Sequence, residues 1–380
     1  MSVSFPNIPS DLRVPLFWAE MDNSEANTTQ DSGPSLLIGF ASADSSIVKN
    51  KLTIMPSAAL AGKVAGRGSQ LARMVARYRA VDPFGELWVI AVTEPDGETA
   101  KGTVTLTGNA QASGSLSLYI GAVRVQAAVV TGDAPAAVAA TLAAAINANA
   151  DLPVTAAAAA GVVTLTARHK GLTGNSIPLA LNYYGTVGSE TTPDGVNAVI
   201  EAMAGGAGSP SLAATVAAMG DEPFDFIGTP FSDSASLATL ALEMNDSSGR
   251  WGYARQLYGH VYTAKIGTLS DLVAFGDTMN NQHITVAGYE SAVQTAADEL
   301  VALRTARNAV FIRNDPARPT QTGELNGALP APAGSRFTLT EQQSLLKHGI
   351  ATAYAESGVL RIQRDITTYQ KNAYGVADNS

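Results

Sequence analysis

The sequence predicts an α/β fold: a helix-covered, mostly parallel sheet core with a β-rich (α+β) domain inserted into it. Three observations carry this. Apolar runs at 224–229, 260–263 and 284–287 each precede a stretch with helical spacing. These stretches are Leu237, Leu240, Ala241 and Met244; then Leu272, Phe275, Gly276 and Met279; then Val293, Ala296, Ala297, Leu300 and Val301. Offsets of three and four put each set on one helix face, and buried strands alternating with such helices imply long crossovers and parallel pairing. Residues 35–40 and 87–92 flank a further helical pattern and supply another βαβ unit. Between the two regions, from Lys101 onward, the period falls to that of half-buried strands.

In chain order, residues 1–30 carry Pro6, Pro9 and Pro15 among the apolar anchors Phe5, Ile8, Leu12, Val14, Leu16, Phe17 and Trp18, followed by a polar run. Three prolines rule out a helix. The segment reads as an extended arm that docks on something, with an edge strand folded back on its own domain as the alternative. Ser-Leu-Leu-Ile-Gly-Phe at 35–40 is a buried strand, and Ser69 caps a helix whose stripe is Leu71, Met74, Val75 and Tyr78. Leu-Trp-Val-Ile-Ala-Val at 87–92 is a second buried strand, giving one sheet of about five strands with the later three.

Alternating runs at 103–107, 115–120, 123–130, 162–167 and 177–183 then make four or five strands, with a tight turn at Gly121-Ala122. One helix interrupts them, with Asp133 as its N-cap, Pro135 in its first turn and Val138, Leu142 and Ile146 as its stripe. Glycine-rich stretches bound this region. The expected division is therefore an arm at 1–30, a discontinuous core at 31–98 and 203–380, and an inserted domain at 99–202. After a proline-rich connector at 314–335, Thr340 and Gln343 read as a capping box opening a helix that runs to Gly358. A last strand spans 359–369, with Leu360, Ile362 and Ile366 on one face and Arg361, Gln363, Asp365 and Tyr369 on the other.

Composition removes several function classes. A net charge of −9 with scattered Lys and Arg lacks the basic stripe of a nucleic-acid binder. The absence of cysteine excludes disulfides, thiol chemistry and zinc ribbons. The start lacks the features of a signal peptide, and the most apolar stretch, 127–146, is broken by Asp133 and Pro135, so a soluble protein made in a cytosol, without membrane insertion, is expected.

A doubly wound sheet is a common home of nucleotide enzymes, so catalytic motifs need direct testing. Gly66-Arg-Gly68-Ser-Gln-Leu71 begins like a dinucleotide fingerprint, but Leu71 replaces its third glycine; a flexible helix start explains it better. Gly205-Gly-Ala-Gly-Ser lacks the Gly-Lys-Ser/Thr of a phosphate loop. His169, His260, His283 and His348 have no metal-binding spacing, although His260 and His283 each open a strand at one edge of the sheet. No Gly-x-Ser-x-Gly elbow exists. Asp221, Glu222 and Asp225 read as solvated charges at a strand entrance. Trp251, Tyr253, Tyr258 and Tyr262, with Arg250 and Arg255, suit packing or a protein interface better than stacking on single strands. No catalytic, cofactor or metal site is expected.

Several stretches resemble one family. Ile8-Pro-Ser-Asp-Leu-Arg-Val-Pro-Leu16 with Ala19-Glu-Met-Asp-Asn-Ser24 is similar to the opening of tail sheath proteins of Mu-like contractile-tailed bacteriophages. Gly66 to Met74, Asp225-Phe-Ile-Gly-Thr-Pro230 and Asp315-Pro-Ala-Arg-Pro319 follow in the family's order, and Val359 to Tyr369 resembles its late Arg-x-Ile-Thr-Thr-Tyr element. The insert, with Lys170-Gly-Leu-Thr-Gly-Asn175, looks like a small domain that recurs in phage tail proteins.

The resemblance implies a non-catalytic subunit, from a phage or prophage, without cofactors. It would stack in rings on the tail tube protein in the virion, assemble in the bacterial cytoplasm and contract on a baseplate signal, driving the tube through the host envelope. Its partners would be other sheath subunits, the tube, the baseplate and the tail terminator, with the insert outside the layer facing the tube. Arms at both ends would add strands to neighbours. Subunit contacts are thus expected at Phe5, Ile8, Leu12, Val14 and Phe17, and at Arg361, Arg364 and Tyr369. The resemblance also implies a further C-terminal region that is not in this sequence, so this chain is expected to fold without polymerising; tubular polymers in electron microscopy would refute that. The alternatives are a sheath subunit of a phage-derived, bacteriocin-like particle, a hydrolase using Asp225 or His260, which nucleotide soaks or an activity panel would reveal, and a glycan-binding module built on the insert.

Overall fold

The computed structural model describes residues 33–378; the expectations for residues 1–30, including Phe5, Ile8, Leu12, Val14 and Phe17, lie outside the described residues. The first part of the core comprises β1 (Ser35–Phe40), β2 (Leu52–Ile54), α1 (Ala58–Val64), α2 (Gln70–Val81) and β3 (Leu87–Val92). The β-rich stretch follows with β4 (Thr99–Thr107), β5 (Gly114–Ile120), β6 (Val123–Val129), α3 (Pro135–Ala148), β7 (Val154–Ala159), β8 (Val162–Lys170), β9 (Leu179–Leu181) and β10 (Asn197–Ala204). The chain returns through α4 (Ala213–Met219), β11 (Phe226–Gly228), α5 (Ser234–Glu243), β12 (His260–Gly267), α6 (Leu269–Gly276), β13 (Ile284–Glu290) and α7 (Ala297–Asn314). It closes with α8 (Leu339–Lys347), β14 (Ile350–Glu356) and β15 (Val359–Arg364).

The main sheet has eight strands in the order β15-β14-β13-β12-β11-β1-β3-β2. Six of them, β14 to β3, run parallel, and short antiparallel strands close both edges. Alternate side chains feed two cores. Leu37, Val89 and Ala264 face α2 and α7, where Leu71, Met74, Val75, Tyr78, Leu300 and Leu303 pack. Leu36, Ile38, Ile90, Val261 and Ile284 face the other layer, which supplies Leu237, Leu240, Leu272 and Leu345. Each such leucine contributes ~1.5–3 kcal/mol on burial.

The sheet exceeds the expected five strands because β2 and β14 carry weak sequence signals, and β15, legible as a strand, joins the sheet only through β14. Ile-Ala-Thr-Ala-Tyr-Ala-Glu reads as the continuation of a helix to Gly358, but α8 ends at Lys347, and Gly349 (φ +71°) turns the chain into β14. Parallel pairing of Ile350 with Val286 then overrides alanine's helix propensity, and Ser357-Gly358, both at positive φ, forms the hairpin turn to β15. That strand stops at Arg364 instead of Tyr369.

Two caps also differ from expectation. The capping box is Thr338 with Glu341, not Thr340 with Gln343: the Thr338 N–H donates to Glu341 Oε2 at 2.7 Å. A carboxylate suits the positive helix end better than an amide. Asp133 does not cap α3, whose N-cap is Ala134; its Oδ2 accepts the Val130 N–H at 2.8 Å in the preceding turn.

The β-rich stretch holds seven strands, not four or five, in two antiparallel sheets, β10-β4-β8-β7 and β6-β5-β9. Its apolar cluster includes Val104, Leu116, Leu142, Ile146 and Leu165 and draws only on residues 100–203. On the outer strand β7, the Asn147 side chain donates to Ala156 O (2.7 Å) and accepts from Ala156 N (2.9 Å), occupying the place of a neighbouring strand.

Candidate functional site

Strand order reverses between β1 and β11, the place where open α/β sheets bind ligands beyond the strands' carboxyl ends. A crevice of about 440 Å³ lies there, lined by Phe40, Phe231, Asp233, Lys265 and Ser291, with Leu172 to Ser176 of the β-rich stretch as part of its wall. The charged groups among its described lining residues are committed elsewhere. Asp233 caps α5 by accepting from Ser236 N at 3.0 Å, and the Lys265 ammonium sits 4.5 Å over the Phe275 ring. Burial holds Lys265 below its ordinary range. Among the described residues, no group of three or more His, Asp or Glu could hold a metal ion.

The four histidines occupy separate structural roles. At the amino ends of the strands, His260 Nε2 meets Thr285 Oγ1 at 2.8 Å, and that hydroxyl donates to Ile366 O at 3.0 Å. Burial pushes the His260 imidazole down to about 4, which keeps it neutral and structural. His283 pairs with Asp246 at 2.9 Å and stacks on Trp251, and His348 pairs with Asp277 at 2.7 Å. His169 lies on β8, remote from this edge, between Glu94 and the start of α2. Arg250, fully buried, donates to Gly220 O and Glu222 O; with Trp251 it builds the 245–259 loop from within, while Tyr253 is exposed.

The C-terminal segment is bound tightly to the core. The outer edge of β15 is already paired by the connector: Thr322 N donates to Ile362 O (2.8 Å), Ile362 N to Gly323 O (2.8 Å) and Leu325 N to Leu360 O (2.9 Å). Arg361 joins this arrangement through Thr322 O at 3.2 Å and the carboxylates of Glu356 and Glu324. Arg364 points outward and is exposed. Beyond the strand, Thr368 is fully buried and exchanges hydrogen bonds with Asn281 (2.9 and 3.0 Å), while the Tyr369 hydroxyl donates to Asp378 at 3.2 Å. The Arg-x-Ile-Thr-Thr-Tyr element is thus largely a clasp across the amino ends of β12 and β13. Of the three expected contact residues described, Arg364 is open to solvent, and Arg361 and Tyr369 are half-buried.

Sequence reasoning missed two buried ionic groups. Arg304 of α7 donates to Asp365, to the Tyr289 hydroxyl (3.2 Å) and to Thr352 O (3.2 Å), tying α7 to the final hairpin. Arg73 and Arg77 of α2 engage Asp298 (2.5 Å) and Glu299 (2.7 Å) of α7. Burial pushes the Asp298 carboxyl up, against the pull of Arg73. Acids in the first turn of α7 and arginines spaced at four on α2 were the available signal.

Residues 205–368 match the family model for the phage tail sheath protein central domain, and residues 95–197 match that for the phage tail sheath protein beta-sandwich domain. The chain is similar to the Mu-like prophage FluMu tail sheath protein of Haemophilus influenzae. The two are 36% identical over 391 aligned positions, covering 100% of this chain and 77% of that protein. Among solved structures, a sheath tail protein of Desulfitobacterium hafniense aligns over 95% of this chain and 76% of its own, at 13% identity and a TM-score of 0.46. One from Listeria innocua covers 91% and 72%, at 11% identity and a TM-score of 0.44.

Proposed function

The chain belongs to the phage tail sheath family, and from that premise we propose that the subunit in its full-length form polymerises around a tail tube and contracts to drive the tube through a host envelope during genome delivery. It is a structural protein of a phage tail, not an enzyme. The observation that carries the proposal is the whole-chain similarity to a Mu-like prophage tail sheath protein.

The reading divides the chain into an arm at 1–30, a core at 31–98 and 203–380, and an insert at 99–202. Contacts between subunits run through Phe5, Ile8, Leu12, Val14 and Phe17 and through Arg361, Arg364 and Tyr369; tube, baseplate and terminator are the other partners, and assembly takes place in the host cytoplasm. A contractile lattice stores energy in two packings of rigid bodies, and a few kcal/mol per subunit, summed over many rings, suffices to drive the change. The two-core body, with both sheet edges closed by short antiparallel strands, suits such a brick.

Immunogold electron microscopy with antibodies to this chain tests the proposal on particles from cells that carry its gene. Label should decorate the tail along its length in the extended form and the shortened sleeve in the contracted form. Label confined to capsids, to the tail tip or to free protein would refute it.

A further inference from the structure

We propose that His169 is a proton-sensitive latch that holds the β-rich body, residues 99–204, against the start of α2. The two bodies have separate apolar cores, since no cluster crosses from residues 100–203 into the sheet core. They are joined by two linkers that pair with each other, Glu98 N to Ala207 O and Ala207 N to Glu98 O, both at 3.1 Å. Polar contacts fasten the rest of the seam: Arg67 to Asp151 on the surface, the Tyr183 hydroxyl to Pro330 O (2.7 Å) and Gln294 to Gly121 O (3.0 Å). Of this set His169 and Gln294 are buried, at 7% and 3% exposed, and of the two only His169 can take up a proton.

Its geometry fixes one protonation state. Nε2 lies 3.1 Å from the Gln70 N–H, a donor, so Nε2 must present its lone pair. Nδ1 lies 2.6 Å from Glu94 Oε1, so Nδ1 carries the proton and donates. The neutral ring satisfies both partners at once. A second proton, arriving on Nε2, sets N–H against N–H, leaves the Gln70 amide without an acceptor and places a cation at the positive end of a 12-residue helix. Glu94 and Asp298 favour the cation, while Arg73 on α2, the flanking Arg168 and Lys170 on β8, and Lys49 beside Glu94 oppose it; the Phe40 ring covers the remaining side. The neutral-ring bond is the part that proton uptake must break, so acidification releases the seam and alkalinity restores it.

The cysteine-free chain allows clean labelling. Spin labels at Ala59→Cys on α1 and Ala158→Cys on β7, both exposed sites, report the separation of the bodies by pulsed electron paramagnetic resonance. On acidification from about pH 7.5 to about pH 5, the single narrow distance population should give way to a broader or shifted one, with far-UV circular dichroism unchanged. His169→Gln, whose side-chain oxygen can accept the Gln70 N–H but cannot titrate there, should keep the narrow population throughout. Nitrogen-15 NMR of the histidine rings in the labelled parent checks the cause independently of that variant's folding. The Nε2 resonance should change with the distances. Unchanged distances, an equal change in His169→Gln, distances that move without the ring, or loss of circular dichroism at the same pH would each overturn the proposal.

Discussion

Replacing Arg304 with Met deletes three donors from a site where the arginine side chain is 1% exposed and its partner Asp365 is 14% exposed. Removing one member of a buried pair typically costs about 3–5 kcal/mol, because the other is left as an uncompensated charge. Here Asp365 keeps the Asn308 amide at 2.9 Å and a margin of solvent, which places the cost near the lower end, about 3 kcal/mol. The loss falls on one region: Asp365 follows β15, and Thr352 O belongs to β14. At tenfold per ~1.36 kcal/mol, opening of the final hairpin becomes roughly 150-fold more frequent. Hydrogen exchange read by mass spectrometry should therefore show amides of residues 350–364 exchanging about a hundredfold faster than in the parent, with β1 and β3 unaffected. Pairing the change with Asp365→Leu should recover part of the loss, since no charge is then stranded, although the buried Asn308 amide loses its acceptor. Exchange within threefold of the parent, or a double variant as loose as the single one, would refute the reasoning.

Four other outcomes follow from the same contacts. Leu237→Ala empties a fully buried position between α5 and the sheet and should cost about 2–5 kcal/mol in chemical unfolding. Gly68→Ala should cost at least about 2 kcal/mol, because φ is +75° and an added Cβ would lie 2.4 Å from Ala150 O and 2.6 Å from Leu152 O; calorimetry of the purified variant reads this directly. Glu190 is a buried carboxylate that burial raises, but the Tyr119 hydroxyl, Arg124 and the Tyr184 N–H together hold it below its ordinary 4.5. Its stabilisation should be intact above that value and lost as pH falls through the depressed one, with faster exchange of residues 182–192 on acidification and no such pH step in Glu190→Gln. Arg364→Ala should leave the thermal midpoint unchanged while Arg361→Ala lowers it, since Arg364 is exposed and Arg361 holds Thr322, Glu324 and Glu356.

The sequence shows most clearly what is buried on both faces. Leu-Leu-Ile at 36–38 and Val-Ile-Ala-Val at 89–92 sit between two helical layers and read as near-continuous apolar runs, so the parallel strands could be placed before their pairing was known. Edge elements are different: β2 is three residues with one face to water, and β7 is Val-Thr followed by four alanines, a composition that local propensity assigns elsewhere. The capping box slipped by two residues because Thr338 and Thr340 are each followed by an acceptor at the right offset, and only geometry chooses between them. The salt bridges around Arg73 and Arg304 join residues 225 and 61 positions apart, a separation that no local pattern encodes. Of the candidate contact surface, the last strand and its Leu360 and Ile362 face were legible. That its outer edge is already filled by residues 322–325 was not, since it depends on where a proline-rich connector returns.

The Asn147 amide on the flank of β7 has a consequence for crowding. In the polymer proposed above, many identical subunits would hold this strand at a high local concentration, at which an open edge of uncharged alanines could pair with its counterpart. With both backbone groups of Ala156 already engaged by one side chain, edge-to-edge pairing at that point of β7 finds neither a free donor nor a free acceptor.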